Sequence, residues 1–302
     1  MSMPAPESDA CLRVAVIQVS ALVDHVASVD KGTLHRLAGL EVAGSKRCGL
    51  DELQDILASV GHFESKAGGS ASNVGRALAT GFGVAVQLVG TRGGDEWGAM
   101  YAGAMQRAGV NTERVRVLQG GSTGRSAILT CEGERTMRTF MDPGVTTRAG
   151  SLAPSDVAGC SWLFLSAYCL YSEGLLPRAV QLANEAGVKV VLDLASYEVV
   201  RTYHEQLLEV LEGGGVHFCV CNETSSDGAQ AVAAKTPPHS PPASQSRAHG
   251  LAHVRLLAAA SSRVPSSASR LRPASTHLEA GGKANKFVNV RYRTSSFDQA
   301  DS

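Results

Sequence analysis

The chain has 302 residues, of which 44% are hydrophobic, and its 28 basic and 28 acidic residues give a formal net charge of zero. Residues 1–222 carry a net charge of −5, with 18 Lys and Arg against 23 Asp and Glu, whereas residues 223–302 carry +5, with 10 against 5. The acidic body argues against a nucleic acid as partner.

Apolar runs and helical spacings alternate along residues 12–222. The predicted elements in chain order are a strand at 12–19, a helix at 72–81, a strand at 84–90, a helix at 95–109, a strand at 115–118, a hairpin at 126–141 that turns at Glu132-Gly133-Glu134, a strand at 161–167, a helix at 173–187, a strand at 188–195, a helix at 204–214 and a strand at 216–222. Repeated β-α units with nearly unbroken apolar strands indicate a parallel sheet covered on both faces. In such sheets ligands bind beyond the carboxyl ends of the strands.

The C-terminal segment has a different composition. Residues 223–302 hold 14 Ser and 6 of the 11 Pro, and only 253–260 has the pattern of a short helix. Such a composition cannot bury enough apolar surface to offset the cost of ordering it. We therefore predict a flexible N-terminus at 1–11, an ordered part at 12–223 and a low-complexity, disordered tail at 224–302. The scattered basic residues of that tail leave contact with an anionic partner as the alternative.

Seven cysteines without a disulfide framework indicate reduced thiols. One basic residue in the first 30 gives no sign of a signal or transit peptide, and no apolar run reaches the ~18 residues of a membrane span. The sequence thus predicts a cytoplasmic protein without a membrane partner. It leaves the oligomeric state open, with a homodimer as one option.

The strongest candidate site begins at a pair of glycines before a predicted helix. Gly68 and Gly69 let a ligand approach the backbone, and the first N–H groups of the helix can meet hydroxyl or anionic oxygens. Asn73, in the first turn, offers both a donor and an acceptor, as a polyol requires. The alternative is that the glycines only ease packing of strand against helix.

Three further positions carry candidate polar groups. Asp24, predicted just past the first strand, could clamp two adjacent hydroxyls of a sugar, or could instead cap a helix or lie at the surface. Asp193 ends a predicted buried strand and is either a site residue or a helix cap. Arg138, like Arg135, could face a ligand or solvent. The isolated histidines have no metal-ligand spacing, so no metal site or catalytic nucleophile is predicted.

Together these stretches resemble the PfkB/ribokinase family of carbohydrate and nucleoside kinases, above all its adenosine-kinase-like members from plants and algae. The resemblance covers about residues 12–223 and rests on ordered segments that read ALVDHVASVD, GGSASNVGRALATGFG with VGTRGGDEWG, GVNTERV with GSTGRSAILTCEGERTM, VVLDLASYEVV and CVCNET. It implies a three-layer α/β/α fold with a mostly parallel sheet and a small β lid. It also implies transfer of the γ-phosphoryl group of ATP, with Mg²⁺, to a hydroxymethyl group of a sugar or nucleoside.

By matching position, the resemblance assigns roles to individual residues. The acceptor would be held by Asp24, Gly68, Gly69 and Asn73, and Asp193 would line the site. Arg138 or its neighbours would lie near the phosphates. The family's Asn-x-x-Glu motif, which organises magnesium and phosphate, would begin at Asn222 and Glu223.

The chain departs from the family at several points. Ser225 stands where the Asn-x-x-Glu motif has Glu, no Gly-x-Gly-Asp segment follows residue 223, and the strand before Asp24 lacks the family's glycines. The missing segment would supply the anion hole and the catalytic base, so the C-terminal part of the fold is expected to be absent. We therefore expect a PfkB-type kinase by descent that is inactive in this chain. Two alternatives stay open: a working kinase completed by a partner or by the tail, and a non-catalytic sugar- or nucleoside-binding protein.

Overall fold

The computed structural model describes residues 12–38 and 44–221 and the backbone of residues 286–289. The chain divides into two compact units, residues 1–189 and residues 190–302. In the first unit the strands are β1 (Arg13–Gln18), β2 (Leu22–Ser28), β3 (Gly44–Arg47), β4 (Glu64–Ala67), β5 (Ala85–Gly93), β6 (Val110–Leu118), β7 (Gly124–Cys131), β8 (Glu134–Phe140) and β9 (Trp162–Ser166). Its helices are α1 (Lys31–Ala38), α2 (Leu50–Val60), α3 (Ser70–Phe82), α4 (Glu96–Arg107) and α5 (Leu175–Glu185).

The main sheet of the first unit is parallel, in the order β9-β1-β5-β6. Helices α3 and α4 pack on it around a core that includes Val16, Leu88, Tyr101 and Met105. This arrangement confirms the predicted α/β class with a mostly parallel sheet. The carboxyl end of β1 points to the turn that starts α3, which brings Gln18 to the predicted site.

A second, mixed sheet has five strands in the order β3-β8-β7-β2-β4. The hairpin of β7 and β8 confirms the predicted turn, at Glu132 and Gly133, which both have positive φ. One face of this sheet packs on α1 and α2, where Leu53 and Leu129 are fully buried. The sheet corresponds to the predicted β lid.

The second unit holds β10 (Lys189–Asp193), whose first residue lies at the boundary, α6 (Tyr197–Thr202), α7 (His204–Glu212), β11 (Phe218–Cys221) and β12 (Lys286–Asn289). Strand β11 pairs in parallel with β10 and with β12. The sequence predicted no strand at 286–289; backbone ladder bonds form there without a strong side-chain pattern. The predicted helix at 253–260 and the rest of the tail lie outside the described residues. Within the described part of the chain, no helix is long and apolar enough to cross a membrane.

The start of α4 is fixed by Asp95. Its carboxylate accepts a hydrogen bond from the backbone N–H of Gly98 at 2.8 Å and bonds from the N–H and hydroxyl of Thr123 at 2.8 and 2.5 Å. A Cβ at Gly98 would lie 2.3 Å from the carbonyl oxygen of Gly93. The GGDxxG stretch therefore ties the amino end of α4 to the start of β7.

We predict that Asp95→Ala lowers the free energy of unfolding by about 2 kcal/mol, because it removes a helix cap and the acceptor for the backbone N–H and the hydroxyl proton of Thr123. Urea denaturation followed by circular dichroism measures this change. Asp51→Ala is the matched control, since Asp51 is an exposed acid in the first turn of α2. Equal losses in the two variants would contradict the role given to Asp95.

Candidate functional site

Asp24 lies within β2, not just past the first strand as predicted, because the chain turns after β1 and enters the second sheet. The alternative of a helix cap does not hold, since α1 is capped by Asp30, which accepts the N–H of Thr33 at 2.9 Å. The Asp24 side chain is half-buried, and its Oδ1 is buried with no hydrogen-bond partner among the described residues. A carboxylate oxygen is thus held away from water and left open to a ligand.

Gly68 determines how closely the Asp24 carboxylate approaches the backbone. A Cβ at Gly68 would lie 2.2 Å from Oδ2 and 2.6 Å from Oδ1 of Asp24. The N–H of Gly68 donates to the carbonyl of Leu22 at 2.8 Å, which continues the pairing of β2 with β4. The glycine is therefore required by a site side chain. The glycine that allows α3 to pack closely on the sheet is instead Gly75, because a Cβ added there would lie 3.3 Å from Val86.

Gly69 and Asn73 begin α3, as predicted. Gly69 has φ +90°, and a Cβ there would lie 2.7 Å from the carboxamide of Gln18. Asn73 is exposed in the first turn of the helix, and its Oδ1 accepts a bond from Arg76 at 2.9 Å. The structure thus brings Asp24, the two glycines and the amino end of α3 together.

Charges around Asp24 set its protonation state. Burial raises the pKa of Asp24 from 3.8 to about 6, and the positive charges of Arg135 and Arg76 oppose that rise. The carboxyl group is therefore mostly ionised at neutral pH and mostly protonated below about pH 5. Ionised, it can only accept hydrogen bonds, which suits it to hydroxyl groups.

Sheet register separates Arg135 from Arg138. Residues directly across a sheet point to one side, and successive residues of a strand point to opposite sides. Asp24 pairs with Ser126 on the neighbouring strand, and Ser126 pairs with Thr139, so these three side chains lie on the same face. Arg135 lies on that face too, because it is four residues from Thr139 in the same strand. Arg138 lies across from Ala127 on the other face and is only 2% exposed. Its predicted place near the phosphates stays a prediction.

The buried face of the same strand carries His25. Its Nδ1 lies 2.8 Å from the hydroxyl of Ser65, and its ring makes edge contacts with Phe63 and Trp97 at 5.0 and 4.8 Å between centroids. Its Nε2 has no partner among the described residues. Burial, with the charge of Arg125, lowers the pKa of His25 from 6.5 to about 4, so the ring is neutral at neutral pH.

Asp193 belongs to the second unit, at the end of β10. Burial raises the pKa of its carboxyl group, against a hydrogen bond from the N–H of Ala195. The following helix is capped by Ser196, whose hydroxyl accepts the N–H of Val199 at 3.4 Å, so the alternative of a helix cap does not hold for Asp193. Asn222 and Glu223 lie outside the described residues, and the role of Asp193 in a site stays a prediction.

Sequence reasoning missed Gln18 and Arg76. Gln18 was detectable as the polar residue that ends the apolar run 14–17 of β1, at the carboxyl end where ligands bind. Arg76 has no such signal, because its place beside Asn73 depends on the helical register of α3.

Comparisons with known proteins agree with the fold described above. Residues 40–153 match the family model described as pfkB family carbohydrate kinase. The fold is similar to that of adenosine kinase from Sinorhizobium meliloti, with 21% identity over 73% of this chain and 68% of that one and a TM-score of 0.66. It is also similar to that of a probable sugar kinase from Rhizobium etli, with 18% identity over 73% of this chain and 67% of that one and a TM-score of 0.66. For apo adenosine kinase from Trypanosoma brucei brucei the identity is 21% over 74% of this chain and 70% of that one, with a TM-score of 0.63. These likenesses confirm the ribokinase-like three-layer fold. No curated protein sequence matches the chain.

Two neighbouring titrations of opposite sign give a test of the site. Because its folded-state pKa is low, His25 contributes stability above about pH 6.5 that is lost as the pH falls through about 4. Because its folded-state pKa is high, Asp24 contributes stability below about pH 3.8 that is lost as the pH rises through about 6. In the window between, the two contributions oppose each other.

We predict that Asp24→Asn makes the loss of unfolding free energy on acidification from about pH 7 to about pH 4 larger than in the wild type. His25→Phe, which keeps an aromatic ring without a titrating group, should make that loss smaller. Urea titrations at a series of pH values measure both slopes. The same slope in all three proteins would show that neither pKa is shifted by folding.

Proposed function

We propose that the chain binds a neutral sugar or nucleoside through hydrogen bonds from two adjacent hydroxyls to Asp24, as the match of residues 40–153 to the pfkB family carbohydrate kinase model suggests. The observation that carries this proposal is the buried, unpartnered Oδ1 of Asp24 beside Gly68. A buried oxygen without a partner costs about 1–3 kcal/mol, which a ligand hydroxyl would recover. Such an acceptor is the substrate class of this family's phosphotransferases.

The geometry favours a diol over an anionic ligand. A carboxylate accepts hydrogen bonds at both oxygens, whereas an anion facing Asp24 would be repelled. The absence of a Cβ at Gly68 leaves room for the carboxylate against the backbone of the turn. A ribose or a hexose with free neighbouring hydroxyls meets these requirements.

An aromatic pair supports a nucleoside as the acceptor. The guanidinium of Arg47 lies 4.8 Å from the ring centroid of Tyr171, and the rings of Tyr171 and Tyr168 are 5.5 Å apart. Arg47 pairs with Thr139, on the face that carries Asp24. Three strand spacings of ~4.8 Å, about 14 Å in all, separate the backbones of Arg47 and Asp24 across the sheet, so only a ligand longer than a single sugar ring extends from Asp24 toward the aromatic pair.

Transfer of a phosphoryl group needs more than this acceptor site. Kinases of this family use ATP and Mg²⁺, whose charge the protein must hold in line with the acceptor. Asn222 and Glu223 lie outside the described residues, and no Gly-x-Gly-Asp follows residue 223. We therefore propose that this chain binds acceptor without phosphorylating it, as an inactive relative or as a binding protein.

Asp24→Asn is predicted to weaken binding of adenosine or ribose at least tenfold, because the amide replaces an acceptor oxygen by a donor and removes the charge. Isothermal titration calorimetry on the full chain measures the affinity. Asp30→Asn is the matched control, since Asp30 is an acid on the same unit that caps α1. The proposal fails if both variants bind as the wild type does, or if the wild type binds no member of a sugar and nucleoside panel.

We predict no ADP formation above background when the chain is incubated with ATP, Mg²⁺ and the same panel. The physical reason is that the Gly-x-Gly-Asp segment, which would supply the anion hole and the catalytic base, does not occur after residue 223 of this sequence. A coupled assay for ADP gives the answer. Turnover that depends on the acceptor and disappears in Asp24→Asn would overturn this part of the proposal and favour a working kinase.

A further inference from the structure

The side chain of Gln18 forms hydrogen bonds with the first turn of α3. Its Oε1 accepts hydrogen bonds from the backbone N–H and from the hydroxyl of Ser72, both at 3.1 Å. Its Nε2 donates to the carbonyl oxygen of Ser20 at 3.0 Å. A helix N–H that a ligand oxygen could have met is therefore already satisfied by the protein.

The orientation of this carboxamide follows from its partners. The Ser72 hydroxyl also bonds the buried hydroxyl of Tyr101. The backbone N–H of Ser72 can only donate, so the atom of Gln18 that meets it is an oxygen. The Ser72 hydroxyl lies 3.1 Å from the same oxygen. The nitrogen of Gln18 must therefore face the other way, toward Ser20 and the turn.

The turn leaves space for this carboxamide. A Cβ at Gly69 would lie 2.7 Å from both Nε2 and Oε1 of Gln18, so the glycine makes room for the whole carboxamide, and the φ of +90° at Gly69 also favours glycine. The preceding glycine faces Asp24 in the same manner. Two consecutive glycines thus make room for two polar side chains. Gly68 lies against the Asp24 carboxylate, which only accepts hydrogen bonds when ionised, and Gly69 lies against the Gln18 carboxamide, which can also donate them.

We infer that Gln18 determines acceptor specificity by donating its second N–H to a hydroxyl of the ligand that Asp24 binds. An amide nitrogen carries two N–H groups, and among the described residues one has a partner, at Ser20. A donor beside a carboxylate selects a hydroxyl that can both accept from Gln18 and donate to Asp24. This inference rests on the proposed function, and it names a residue outside the segments that carry the family resemblance.

The test compares hydroxyl-deleted ligands. The probes are adenosine with its 2′-deoxy and 3′-deoxy forms and ribose with 2-deoxyribose, titrated into the full chain by calorimetry. Gln18→Met, of similar length and without donor or acceptor groups, should weaken binding of the complete ligand roughly five- to tenfold, the effect of one hydrogen bond. It should leave unchanged the affinity for the deoxy form that lacks the hydroxyl contacted by Gln18.

Gln87→Met is the matched control, because Gln87 donates to the carbonyl of Asp156 at 2.8 Å from the neighbouring strand β5. It should leave the order of affinities as in the wild type. Gln18→Glu keeps an oxygen that can accept from Ser72 but has no N–H, so it should also weaken binding only of ligands that carry the contacted hydroxyl. This variant gives the test if Gln18→Met does not fold.

The outcomes separate this inference from the proposed function. Equal weakening of all ligands by Gln18→Met and Gln18→Glu would show a purely structural role and overturn the inference, as would unchanged affinities. Acceptor binding by the wild type, abolished in Asp24→Asn, would leave the proposed function standing in either case. A wild-type chain that binds none of the probes overturns both.

Discussion

The approach of the Asp24 carboxylate to the backbone of Gly68 is the constraint on which the candidate site depends. With a Cβ at 2.2 Å from the carboxylate, any residue other than glycine would displace either the side chain or the turn. The turn itself joins β4 to α3, and the Gly68 N–H bond to Leu22 fixes it on β2. One close contact therefore sets the position of a strand, a turn and the amino end of a helix relative to each other.

Strand β2 connects the site with the packing of the second sheet. Asp24 faces the half-open side, and His25, the next residue, faces the buried side between Phe63 and Trp97. Because alternate residues of a strand point to opposite sides, any shift of β2 that moved Asp24 would also break the packing of His25. The contacts of His25 with Phe63 and Trp97 thus fix the position of the Asp24 carboxylate relative to the turn at Gly68.

The parts of the fold that were predictable from the sequence are those with strong periodicity. The strands of the main sheet, α3, α4 and the β7–β8 hairpin follow from apolar runs and turn residues. The short strands β3 and β4 do not, because their sequences, GSKR and ESKA, lie largely in solvent and have no hydrophobic pattern. Asp24 was recognised as a candidate but placed outside its strand, because the apolar run of β1 does not show that the chain turns and continues as β2 in the second sheet. The sequence marks Gln18 as a polar residue at a strand end but does not report its partners, because its bond to Ser72 and the bond of Ser72 to Tyr101 join residues far apart in sequence.

The energetic cost of the site argues for a ligand. A half-buried carboxylate with one unpartnered oxygen destabilises the fold, as its raised pKa indicates, and an apolar side chain would remove that cost. The arginines nearby do not bond it; Arg76 instead donates to Asn73 and to the carbonyl of Ala67. They lower the cost of the charge while leaving the oxygens open. The Asp24 carboxylate is thus stabilised by the charges of Arg135 and Arg76, but its Oδ1 forms no hydrogen bond with any described residue. Such a group is suited to a neutral ligand, whose hydroxyls can donate hydrogen bonds to it without forming an ion pair.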